Sequence, residues 1–88
     1  MNNDQIELYE TTNIVLAATL VCHGCQVQHI TLGGRNGTMG IFAFTGATKT
    51  QLAMFDQGRL SVDPTIFNMH MKRLTSMTKA IAKDEANG

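Results

Sequence analysis

A short polar stretch, Gly33-Gly34-Arg35-Asn36-Gly37, separates two runs whose composition suits strands, Cys25 to Leu32 and Thr38 to Phe44. Glycine and asparagine supply the positive φ angles that a tight connection needs. Val27, Ile30, Ile41, Phe42 and Phe44 fit a pleated surface. The pattern predicts an antiparallel hairpin. With helical patterns on either side of it, the hairpin makes this a small α+β domain.

The segment before the hairpin is expected to form a helix from Asn13 to His23, with Thr12 as N-cap and Gly24 at the left-handed position after its end. β-branched Ile14, Val15 and Val21 leave a strand open as the alternative. Ala17-Ala18 and the threonine and glycine at its borders favour the helix. Nearly every side of it is apolar, which predicts central burial. After the hairpin Gly46 breaks the chain, and Thr48 with Gln51 three residues later reads as a capping box. Leu52, Ala53, Met54 and Phe55 supply that second helix with an apolar face, and Gly58 ends it. Leu60 and Val62 share one side of Arg59 to Val62, which predicts a short third strand. Asp63-Pro64 then opens a third helix. Asp is a favoured N-cap facing the positive end of the dipole, and Pro at the first helical position loses no hydrogen bond. Phe67, His70 or Met71, Leu74, Met77 or Thr78, and Ile81 follow at helical spacing. The expected order is α-β-β-α-β-α. Residues 11–80 form one domain between a flexible segment, residues 1–10, and a polar tail, residues 81–88. Within the first of these Ile6, Leu8 and Tyr9 offer an extended piece.

A chain of 88 residues makes one domain. At that size folding buries only about 60–65% of the surface the unfolded chain exposes, so the core leaves a thin margin and oligomerisation is a natural supplement. A hydrophobic content of 43% argues against general disorder. Seven basic and seven acidic residues cancel, so no global field draws the chain to nucleic acid or anionic lipid, although a local basic patch stays open. The apolar run Ile14 to Cys22 is well short of the ~20 residues a membrane helix needs. Asp4, Glu7 and Glu10 precede it without a Lys or Arg, unlike a secretory signal. Two cysteines are too few for a secreted disulfide scaffold. The expected location is the cytoplasm.

Thr11-Thr12-Asn13, Leu16-Ala17-Ala18, Gly24, and the element Gly58-x-Leu60-x-Val62-Asp63-Pro64-x-x-Phe67 together resemble a family of short uncharacterised domains from phage and bacterial genomes. The likeness runs from about Tyr9 to Leu74 and consists of structural punctuation. It implies the fold and a phage or prophage setting, and it carries over no catalytic or binding residue. Cys22 and Cys25 stand where that pattern has aliphatic or aromatic residues.

The chemistry-bearing motifs are weak. Cys22-His23-Gly24-Cys25 is a C-x-x-C, but here it ends a helix rather than opening one, and the negative end of the dipole disfavours a thiolate at Cys22. With His29 and His70 the cysteines number enough for zinc, yet the second close pair of ligands is missing. Two small apolar cysteines at a corner are the simpler reading. Gly46-Ala47-Thr48-Lys49-Thr50 echoes a phosphate loop with the wrong spacing. Gly40-Ile41-Phe42-Ala43-Phe44 echoes the base-stacking strand of RNA-binding domains, but lacks a basic residue beside Gly40. Met69, Met71 and Met77 suit either core or an adaptable binding face. His23, His29, His70, Ser61 and Ser76 form no recognisable catalytic constellation. No cofactor or metal is expected.

The expectation is therefore a non-enzymatic interaction module of phage or prophage type, a homodimer with a host or phage protein as a further partner. Period-two alternation puts Met39, Ile41 and Ala43 on one face and Phe42 and Phe44 on the other. The large rings should meet the helices, which leaves Met39, Ile41 and Ala43, with Arg35 in the turn, as the interaction surface. The alternatives are a single-stranded nucleic-acid binder using the sheet, and a small Cys/His metal protein.

Overall fold

The structure, a computed structural model, describes residues 4–35, 37 and 39–87. Six elements follow one another: β1 (Tyr9–Thr11), α1 (Ile14–Cys22), β2 (Gln26–Gly33), β3 (Met39–Thr45), α2 (Lys49–Asp56) and α3 (Pro64–Asn87). The strands form one antiparallel sheet in the order β1-β3-β2. The α+β class and the β2–β3 hairpin are as the sequence predicts. Asn36 and Thr38, both part of the expected connection, lie outside the described residues. The Gly37 amide donates to the Gly34 carbonyl at 3.2 Å.

Three expectations need correction. The third strand is Tyr9–Thr11, not Arg59–Val62, so the order begins with a strand. Residues 59–62 instead bridge α2 and α3 without regular structure, and the His23 Nε2–H donates to the Ser61 carbonyl at 2.8 Å. The segment expected to be flexible is tied down from Asp4 onward. The Ile6 amide donates to the Ala47 carbonyl and the Lys49 amide to the Asp4 carbonyl, both at 2.9 Å. The tail expected from residue 81 is helical to Asn87, since Ala, Lys, Asp and Glu continue a helix and no glycine interrupts before the last residue.

Helix ends follow the sequence closely. Asn13, one residue after the expected cap, closes the start of α1: its Oδ1 accepts from the Val15 and Leu16 amides at 3.0 and 3.3 Å. The Thr11 hydroxyl in turn accepts from the Asn13 amide. Thr48 and Gln51 form the capping box of α2 as expected. Asp63 Oδ1 accepts from the Thr65 and Ile66 amides at 2.9 and 3.1 Å and so caps α3. Both α1 and α2 end in the paired reverse bonds that a left-handed glycine permits. Gly24 at φ 90 lets the Cys25 amide reach the Leu20 carbonyl, and Gly58 at φ 69 lets the Arg59 amide reach that of Met54.

The core joins one sheet face to the helices. Phe42 and Phe44 from β3 pack with Leu16, Ala17, Ala18 and Leu20 of α1, with Ala47 and with Leu74 of α3. Leu52 and Phe55 of α2 close one side, and Phe67 and Met71 of α3 another. Each large apolar side chain so buried contributes about 1.5–3 kcal/mol, and Phe44, Leu20 and Leu74 are the largest of those fully enclosed. α3 crosses β3 closely: a Cβ on Gly40 would lie 2.9 Å from Thr78 Cγ2.

Candidate functional site

Helical residues of the core gather on the Phe42 and Phe44 side of the sheet, which leaves the opposite face without a helix in that core. Directly paired residues share a face, so the register reads this open surface row by row. Glu10, Ala43 and His29 make one row, Ile41 and Thr31 the next, and Met39 and Gly33 the last. A bulge at Gln28 shifts the register and brings its side-chain amide to the Thr45 hydroxyl at 2.9 Å. Met39 is 51% exposed. Ile41 is half-buried and lies over Gly33, where a Cβ would meet its Cδ1. Arg35 is exposed in the connection.

Ala43 does not belong to that surface. It is fully enclosed, because β3 is the central strand and the longer side chains of Glu10 and His29 flank the methyl from both neighbours. Thus Met39 and Ile41 meet on the open face, Arg35 stands exposed in the connection beside it, and Ala43 serves as its floor.

The remaining motifs have plain structural roles. Cys25 is buried and Cys22 half-buried, and both are free. The Cys25 thiol points to Gln51 Oε1 at 3.5 Å. Burial pushes both thiols up, and Asp63 adds to the effect at Cys22, so neither is an activated nucleophile. Among the described residues no three His, Cys, Asp or Glu side chains converge on a point a metal ion could occupy, so Cys22, Cys25, His29 and His70 do not form one site. The start of α2, which echoes a phosphate loop, already holds an anion from the chain itself. Its Thr50 amide donates to Asp4 Oδ1 at 3.1 Å, while the Lys49, Gln51 and Leu52 amides are taken by Asp4 and Thr48. Phe42 and Phe44 are 2% and 0% exposed, so neither ring is offered to a base. Among the described residues no helix is long and apolar enough to cross a membrane.

The three methionines of α3 divide between the two roles open to them. Met71 packs on the core, whereas Met69 is 56% and Met77 38% exposed. Ile66, Met69, Arg73 and Met77 fall within about 80° of one another at 3.6 residues per turn. They form a second stripe beside the core-facing one. Between this stripe and the beginning of β2 lies a groove of about 390 Å3, lined by Val21, Cys25, Gln26, Val27, Arg73 and Met77. The sequence does not announce it, because three separate elements build it. Its one signal is an apolar arc on α3 wider than a single core requires.

Comparison with family models, with curated proteins and with solved structures finds no match.

Proposed function

We propose that this chain is a small non-catalytic interaction module, working as a homodimer through the open face of its sheet. The observation that supports this is the helix-free surface carrying Met39 and Ile41. Burying a half-exposed methionine and isoleucine against their own copies removes apolar area from water at about 25 cal/mol per Å2. A two-fold axis near Ile41 also brings Arg35 of one copy towards Glu10 of the other, since the two lie at opposite ends of the face. Such a self-complementary patch is what an isologous contact needs. The accessory role in a phage or prophage rests on the resemblance of the Gly58 to Phe67 element and its companions alone, and a place in the cytoplasm on the short apolar run Ile14 to Cys22, the acidic residues before it and the two cysteines.

Size sets the strength. The seven residues of β3 span about 24 Å, and three strands about 14 Å across, or roughly 340 Å2 of flat face. That is less than half of the ~800 Å2 per partner of a stable interface. The dimer is accordingly of micromolar strength and reversible. Light scattering across concentration tests it: the unmodified chain should double in mass within the micromolar range, and Ile41→Glu should stay a folded monomer by circular dichroism. A chain still monomeric at high micromolar concentration contradicts the proposal. Affinity for single-stranded oligonucleotides that falls steeply with salt would favour a nucleic-acid role instead.

A further inference from the structure

β2 has β3 on one side and, among the described residues, no strand on the other. Its residues Gln26–Gly33 include no proline and no charged side chain, and the bulge at Gln28 is the one feature among them that interrupts pairing at this edge. The free N–H and C=O groups along that edge form a template for an added strand. The groove beside α3 opens at the start of this edge, and Gln26 and Val27 belong to both. Val21, Cys25, Val27 and Met77 supply its apolar lining, beside the polar Gln26. Its one charged lining residue is the exposed Arg73.

We infer that this groove binds an extended acidic peptide of another protein, which adds as a strand to the free edge of β2. One apolar side chain fills the space between Val21, Val27 and Met77. A carboxylate two residues away, on the same face of the added strand, meets Arg73. A second copy does not fit the site, because its β2 carries no carboxylate for Arg73 and its other edge strand, β1, has only three residues. A bilayer surface does not fit either, since the site is a concave slot rather than a flat apolar stripe. This surface is separate from the Met39 and Ile41 face, so the two proposals stand or fall independently.

The test is an NMR titration of the isotope-labelled full chain with a blocked threonine-based heptapeptide that carries valine at its third position and glutamate at its fifth, on one face of an extended strand. Two control peptides carry lysine for glutamate, or N-methyl groups on the residues that face β2. The glutamate peptide should shift the amides from Gln26 to Ile30, and both controls should bind far more weakly. Arg73→Glu, an exposed change that leaves the core intact, should weaken the glutamate peptide about tenfold and favour the lysine one. Met77→Glu should reduce binding of the glutamate peptide as well. Equal binding of all three peptides, shifts confined to the Met39 face, or no shift at millimolar peptide would overturn the inference. So would movement of the same amides by phosphatidylglycerol vesicles but not by peptide.

Discussion

Cys25 occupies the third position beyond α1, where its amide donates to the Leu20 carbonyl and its thiol faces Gln51. Its place at a helix–strand corner was legible in the sequence, because Gly24 marks the helix end. The cap of α1 was less so: Thr11, Thr12 and Asn13 are all capping residues, and it is the Asn13 Oδ1 that accepts from the Val15 and Leu16 amides. Burial raises the Cys25 thiol above its ordinary value of 9.0, so the folded state holds the proton more tightly than the unfolded one. That contribution is complete below the ordinary value and fades as pH rises through the folded one. Stability should therefore decline in urea melts taken progressively above that pH. Alkylation of Cys25 should follow a profile displaced to higher pH than in the denatured chain. Rapid alkylation at neutral pH by the folded protein would contradict this environment.

Among the elements, those with local punctuation were readable and the one without it was not. Both β2 and β3 carry dense β-formers around a glycine-rich connection, α2 has its capping box, and α3 its Asp63-Pro64 start. β1 has three residues and no turn signal, and its pairing partner lies some thirty residues downstream. Leu60 and Val62 alternate as a strand would, yet β1 and β2 already occupy both sides of β3. The arm before β1 was hidden for the same reason, since Asp4 acts on α2 across 46 residues of sequence. Asp4→Ala removes a side chain that caps α2 from outside. It should lower stability by about 1 kcal/mol in urea denaturation, as loss of an N-cap does. An unchanged midpoint would show that the arm contributes nothing to the fold.

For the molecule as a whole, period-two alternation was enough to separate the buried rings of Phe42 and Phe44 from exposed Met39. It missed the enclosure of Ala43, which depends on β1 lying opposite it, and it missed the groove, which needs α1, β2 and α3 together. Three helices and the sheet bury one continuous core, and the other sheet face is left to solvent or a partner. That asymmetry underlies the proposed dimer. The most direct measurement is an isotope-filtered NOE experiment on a mixture of labelled and unlabelled chains at high micromolar concentration. The account predicts contacts between copies from the methyl groups of Met39, Ile41 and Thr31, lost in Ile41→Glu. Contacts confined to Ile66, Met69 and Met77, or none between copies, would contradict it.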